Sequence, residues 1–217
     1  MTIQTAADLD RALSSAQPAI NTRRQPTQAR AVAAIEAILD ATAELLVTEG
    51  FEATTTTRVA LAAQMSVGTL YQYFPNKATL VTAVAQRHAG RMLEVVYRAG
   101  AESLGRPLRE TVHALCDALL AAHGTAPELN RVLVQHIPHV GVSYWHELEA
   151  GARALVKALL AANAAAIRPT DLDAASFVLV AMVEGVVYSA LLEPPQSLAL
   201  ERITRELEDA VLRYLLP

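Results

Sequence analysis

Thr54-Thr-Thr-Thr-Arg-Val-Ala-Leu-Ala-Ala-Gln-Met-Ser-Val-Gly-Thr-Leu-Tyr-Gln-Tyr-Phe-Pro-Asn-Lys77 is the stretch on which the fold turns. It holds two short helical runs, each preceded by a hydroxyl residue. The threonine run offers Thr55 or Thr56 as an N-cap, and Ser66 can cap the next helix at the amide of Thr69. Pro75 stops that helix, and Asn76 can cap a long one beginning at Lys77. Ala60 and Ala63 are small enough for two helices to approach closely, with Val59, Leu70 and Met65 facing inward. Two short helices joined by three or four residues make a helix-turn-helix. The second helix then leaves Val67, Gly68, Thr69, Tyr71, Gln72 and Tyr73 near its exposed N-terminal half. In such a motif that part enters a major groove.

Outward from this stretch the signals stay helical. Upstream, Val32, Ile35, Leu39, Thr42 and Leu46 recur at helical spacing, and Gly50 reads as a stop. Downstream, Pro107 opens a helix to about His123, and Pro127 opens another to about Ile137, ended by Pro138. Ser143 precedes one running to about Ala166. Thr170-x-x-Asp173 resembles a capping box for a helix to Leu192. Ser197 is expected to cap the last helix, with Leu200, Ile203, Leu207, Ala210, Val211, Tyr214 and Leu215 on one face. Ala and Leu dominate the apolar residues, and both are strong helix formers. The expectation is an all-α chain of nine helices. Residues 1–21 form a flexible N-terminal segment, 22–75 a three-helix helix-turn-helix domain, and 76–217 a six-helix second domain joined to the first by helix 76–100.

Composition narrows the function. The chain of 217 residues is 53% hydrophobic and 18% charged, ample for a buried core. Its net charge of −4 is unevenly placed. Thr22–Arg91 carries 7 Lys/Arg and 5 Asp/Glu, whereas Met92–Pro217 carries 10 and 15. A slightly basic end on an acidic body suits a molecule that presents one end to a phosphate backbone. The single cysteine, Cys116, fits a reducing compartment, and the first twenty residues lack a signal-peptide pattern, so a cytoplasmic protein is expected. The most apolar run, Phe177 to Leu192, is 16 residues long with Glu184 inside it, short for a membrane span of about 20 residues.

Read together, these residues resemble the TetR family of regulators. The carriers are Thr54-Thr-Thr-Thr-Arg-Val-Ala, then Ser66-Val-Gly-Thr-Leu-Tyr-Gln-Tyr-Phe-Pro-Asn-Lys77, with Arg23-Arg-Gln-Pro-Thr-Gln-Ala-Arg30 similar to the family's arms. The resemblance covers about residues 22–95 and is specific there; beyond it, only helix number and order match. It implies that Thr56 and Thr69 contact phosphates and that Tyr71 and Tyr73 meet phosphate or base edges. It also implies that Val67, Gly68 and Gln72 lie along the groove, with Thr57 projecting toward it. Lys77 would hold a phosphate, which would account for a lysine at an otherwise unfavourable helix start. Arg23 and Arg24 would be either a DNA arm or a solubilising tail. Gln64 stands where the family often has Gly in a left-handed turn, at a cost of roughly 1 kcal/mol. The resemblance further implies a homodimer through the last two helices, binding a palindromic double-stranded DNA operator. It implies a repressor released by a small-molecule effector. A ligand-binding helical protein without DNA recognition, or an activator of the same fold, is the alternative.

The remaining constellations carry less. His136-x-x-His139 and His146-x-x-Glu149 have metal-like spacing, but Pro138 interrupts the first and no Cys cluster supports either, so no metal is expected. Cys116 near His113 lacks the orienting group and oxyanion site of a nucleophile pair, and neither an enzyme nor a cofactor is expected. The stretch Pro107–Ala166, with His113, Cys116, His136, Tyr144 and Trp145, reads as an effector pocket lined by small apolar side chains and few basic ones. Tyr144 and Trp145 are core plugs or pocket walls. Glu184, on an apolar helix, must pair with a cation, pair across a dimer or face a ligand. The effector is expected to be hydrophobic or weakly polar, and cationic if Glu184 faces the cavity.

Overall fold

The computed structural model describes residues 29–136, 142–192 and 198–217, with the side chains of 142–148 and 191–192 outside that description. Among the described residues the chain is all-α, with nine helices and no strand. They are α1 (Ala29–Ala53), α2 (Thr56–Ala62), α3 (Val67–Tyr73), α4 (Lys77–Glu102), α5 (Leu108–Gly124), α6 (Pro127–Gln135), α7 (Val142–Ala162), α8 (Leu172–Leu192) and α9 (Leu200–Leu215). They pack as two compact units. One lies within Ala19–Ala89 and Ala126–Tyr144, the other within Gly90–Thr125 and Trp145–Pro217. Helix α4 passes from the first unit into the second, and α6, late in sequence, packs in the first.

The first unit is built around α1. Ile35, Ile38, Leu39, Thr42 and Leu46 form its buried stripe; Val32, expected on that stripe, lies in the first turn of the described helix and is exposed. The buried Thr42 hydroxyl donates to the Ile38 carbonyl at 2.7 Å, which satisfies it within the helix. Gly50 breaks the helical path at φ 83°, a left-handed conformation that a β-carbon disfavours, and one short turn through Ala53 follows. Arg87 of α4, nearly buried, pairs with Glu36 at 2.9 Å and Asp40 at 2.7 Å on α1. His88 meets the buried Asn130 of α6 at 2.9 Å.

In the second unit, α5 and α9 pack together and share a core with α7 and α8. Leu108, Val112, Cys116, Leu160, Leu179, Leu207, Val211 and Leu215 belong to it. Two expected starts are corrected. Helix α8 is capped by Asp171, whose Oδ1 accepts from the amides of Asp173 and Ala174 at 3.0 Å each, so the cap is one residue later than Thr170. Helix α9 starts after Ala199, which gives no side-chain cap; Ser197 lies outside the described residues. On α9 the buried face includes Leu212, whereas Ala210 is exposed. Helix α7 ends at Ala162, and residues 163–166 are turns.

Candidate nucleic-acid interface and apolar cavity

The reading head is assembled by local capping. Thr55 is the N-cap of α2 and accepts from the Arg58 amide at 3.3 Å. The buried Thr54 donates its hydroxyl to the Gly50 carbonyl at 2.8 Å, which ties the threonine run to the break in α1. Between α2 and α3, the Met65 amide donates to the Ala60 carbonyl at 2.9 Å and the Gln64 amide to the Leu61 carbonyl at 3.0 Å. These are the two bonds of a Schellman motif, which requires a left-handed residue at its turn. Gln64 takes that place at φ 56°. Gln64→Gly is therefore expected to stabilise the first unit by about 0.5–1 kcal/mol, relief of left-handed strain exceeding the extra chain entropy of glycine. Urea unfolding of the two proteins checks this, and an unchanged or lowered midpoint would count against strain at the turn.

Ser66 caps α3, accepting from the Thr69 amide at 3.0 Å and lying 2.8 Å from the Thr69 hydroxyl. Val59, Ala60, Leu70 and Phe74 are fully buried, so the two helices are anchored from beneath. The opposite surface carries Thr57, Gly68, Tyr71 and Gln72 exposed, with Thr56, Val67, Thr69 and Tyr73 half-buried beside them. The Thr56 and Tyr71 hydroxyls are 3.2 Å apart, linking the start of α2 to the middle of α3. The structure thus joins the two helices at Thr56 and Tyr71 and leaves the other named residues of α2 and α3 exposed or half-buried. Arg23 and Arg24 lie outside the described residues.

Lys77 sits where α4 begins, next to the cap that Asn76 makes with the Thr79 amide at 2.9 Å. Its ammonium donates to the carbonyls of Phe51 and Glu52 and lies 3.9 Å from the centre of the Phe51 ring. Lysine near the carbonyl end of a helix is favourable, which gives this side chain an internal partner that sequence reading missed. His136 stacks on the same Phe51 ring, with centroids 4.2 Å apart and planes inclined by 17°. His136 therefore belongs to the first unit and not to an effector pocket. No sequence pattern joins residues 51 and 136; only the packing of α6 on α1 does.

The second unit contains an apolar cavity of about 240 Å³ lined by α4, α5, α7, α8 and α9. Leu93, Val96, Leu115, Leu119, Leu159 and Val183 are among its aliphatic walls, and Thr111, Cys116 and Glu184 supply its polar atoms. Two of the expected ligand residues, Cys116 and Glu184, are thus brought together. His113 is not: it is exposed, 3.1 Å from Glu208 and 3.3 Å from Asp117. Its pKa is raised from 6.5, first by the hydrogen bond to Glu208 and then by the two carboxylate charges, so this α5–α9 tie is complete at low pH and lost as pH rises through the raised value. Tyr144 and Trp145 start α7, where side chains lie outside the description. Burial pushes the Cys116 thiol up to about 11, which makes it an inert wall group at neutral pH. Burial likewise raises the Glu184 carboxyl, Glu149 adds to the rise, and Arg153 opposes it.

This arrangement, a capped helix-turn-helix in one unit and an apolar cavity in another, defines a helix-turn-helix regulator. The comparisons with known proteins agree. Residues 38–84 match the model for bacterial regulatory proteins of the tetR family, and residues 107–215 match the C-terminal domain of Tetracyclin repressor-like proteins. The chain belongs to the TetR family of bacterial regulatory proteins. It is 43% identical over 60 residues to YvkB of Bacillus subtilis strain 168, an uncharacterised HTH-type transcriptional regulator, and spans about a third (32%) of that protein's length and 26% of its own. A TetR-family regulator from Mesorhizobium loti MAFF303099 superposes with a TM-score of 0.69 at 18% identity, over 88% of this chain and 100% of that one. SmeT, the repressor of the Stenotrophomonas maltophilia multidrug efflux pump SmeDEF, gives 0.66 at 21% identity, over 84% and 90%. At these identities the likeness shows the fold.

Proposed function

We propose that the protein is a homodimeric, cytoplasmic transcriptional repressor that reads a palindromic operator and is released from it by a small, largely apolar effector. The observation that carries the reading is the outer side of α2 and α3, where Thr57, Gly68, Tyr71 and Gln72 are exposed and Thr56, Val67, Thr69 and Tyr73 half-buried, over the fully buried Val59, Ala60, Leu70 and Phe74. Hydroxyls there suit phosphate oxygens, and Gln72 can reach base edges. Two of the three Lys77 N–H groups serve the end of α1, leaving the third for a phosphate. Arg23 and Arg24 would extend the contact as an arm.

Dimerisation through α8 and α9 is supported by their unmatched apolar surface. Over Leu172–Ala190 the mean hydropathy is 1.6 and only 22% is buried, while Phe177, Val178, Leu198 and Leu200 are each at least 40% exposed. An apolar helix left this open is normally covered by a partner, and a two-fold interface matches a palindromic site. The cavity is the natural effector site, since such sites are apolar with a few polar groups that fix orientation. SmeT, which shares the fold, has been solved bound to triclosan, an observation in keeping with an apolar effector. Release would follow from linkage: an effector that favours a state whose two heads no longer fit the half-site spacing lowers operator affinity by the same factor that the operator lowers effector affinity.

Two measurements test this. Selection from a random duplex pool should enrich an inverted repeat, and light scattering at micromolar concentration should give a dimer. A monomer, or a pool with no repeat, sinks the proposal.

A further inference from the structure

We propose that His136, at the end of α6, is a positioning residue for DNA binding: through the Phe51 ring it holds the Lys77 ammonium where a phosphate oxygen can meet it. This rests on the phosphate role given to Lys77 above and names what sets that role. All three residues belong to the first unit. Phe51 is the node between the other two. It is the first residue after the break at Gly50, so the regular part of α1 does not fix its direction. Contacts with other elements do. Its carbonyl accepts from the Thr54 amide at 3.3 Å and from the Lys77 ammonium. Its ring lies 3.9 Å from that ammonium and stacks on His136 at 4.2 Å. A carbonyl and an aromatic face that hold Lys77 thus belong to one residue, and His136 backs that residue.

The imidazole is itself on a firm mount. His136 is the C-cap of α6, its amide donating to the Leu133 carbonyl at 3.1 Å. Helix α6 is seated by the buried Asn130, Leu133 and Val134, and Asn130 meets His88 of α4 at 2.9 Å. The ring that backs Phe51 is therefore anchored to the same helix that Lys77 begins. Removing it leaves the charge of Lys77 untouched and alters only its position. A cation at a helix start is disfavoured by the α4 dipole. Without a fixed Phe51 the ammonium moves out into solvent and regains its rotamers, which it must lose again when a phosphate arrives. A lysine already held binds that phosphate more tightly because less freedom is lost.

The test uses the full chain and has two parts. The first needs no DNA. The chain has two lysines, Lys77 and Lys157, so their ammonium groups give two signals in proton–nitrogen NMR, assigned with Lys157→Arg. The Phe51 ring current should place the Lys77 signal upfield. His136→Ala should move it back downfield, and His136→Phe, which can stack in the same way, should keep it. The second part measures anisotropy with the duplex selected from the random pool. Each half-site takes one Lys77, so Lys77→Gln should lower affinity about twentyfold at physiological salt and flatten the salt slope by about two. His136→Ala should lower affinity about fivefold, and His136→Phe by less than about twofold. In the Lys77→Gln background, His136→Ala should lower affinity by less than about twofold, because the group it positions is gone. Should His136→Ala fail to fold, His136→Leu takes its place, filling space without an aromatic face. An unmoved Lys77 signal, or a loss from His136→Ala that is as large without Lys77 as with it, overturns the positioning role and leaves the DNA contact of Lys77 standing. If Lys77→Gln binds the duplex as tightly as the wild type, the phosphate role fails and the positioning role with it.

Discussion

Phe74→Ala is expected to destabilise the first unit by about 3–5 kcal/mol, the usual cost of emptying a phenylalanine site in a packed core. Phe74 is fully buried and closes α3 as its C-cap residue, its amide donating to the Leu70 carbonyl at 2.9 Å. It lies in the core of the unit that carries the two helices whose outer surface meets DNA in the proposed function. The unit is small, and whole domains are stable by only about 5–15 kcal/mol, so the loss takes a large share of the total. Unfolding should therefore separate into two transitions, the first unit melting early and the second near its original midpoint. Sequence-specific DNA binding should disappear at temperatures where most helical signal remains. Tyr71→Phe, by contrast, removes only the contact with the Thr56 hydroxyl, at a net cost of about 0.5–1.5 kcal/mol. Circular dichroism with denaturant titration measures both. A loss below about 1 kcal/mol at Phe74 would mean that the core beneath the helix-turn-helix can collapse around the gap.

The contrast between neighbouring aromatics shows which parts of the molecule sequence reading can reach. Thr55, Ser66 and Asn76 mark helix starts because a cap acts over three residues of its own chain, and Pro107 and Pro127 mark them because a fixed φ and a missing N–H suit the very start of a helix. Gln64 was legible as a left-handed position only through the family resemblance, since nothing in the side chain itself marks that conformation. At α8, Thr170 and Asp171 are both competent caps, and spacing alone does not choose between adjacent candidates. On α9, Ala210 and Leu212 lie on either side of the same stripe, and the larger side chain wins burial because it displaces more water. The stack of His136 on Phe51 and the pairing of His113 with Glu208 are of another kind. They join residues 85 and 95 positions apart, and they follow from which helices pack together. A histidine in an apolar stretch looks the same on paper whether it enters a cavity or finds a surface carboxylate. Glu184 was more legible, because a charge on an otherwise apolar helix has few affordable surroundings.

Gly68→Ala should move folding and DNA binding in opposite directions. Gly68 lies in the first turn of α3, is exposed, and has no left-handed backbone that would demand glycine. A β-carbon added there would meet only the Ser66 hydroxyl, at 3.8 Å, an ordinary contact distance. Nothing within the protein therefore requires the missing side chain, and glycine in a helix costs about 0.5–1 kcal/mol against alanine. The substitution is expected to stabilise the first unit by about that amount. In the proposed complex, however, this is the point at which α3 comes nearest the groove, and the bare backbone lets the helix sit deep enough for Thr69, Tyr71 and Gln72 to reach their partners. One methyl group there holds the helix off. A lost or strained set of base contacts is worth about 1–3 kcal/mol, so affinity for the selected operator should fall about tenfold to a hundredfold. Binding to unrelated duplex should change less, because backbone attraction tolerates a small displacement. Fluorescence anisotropy with operator and scrambled duplexes, at matched salt, reads both terms. A variant that is more stable and binds the operator as well as wild type would place Gly68 away from the groove, and the proposed orientation of α3 would have to be abandoned.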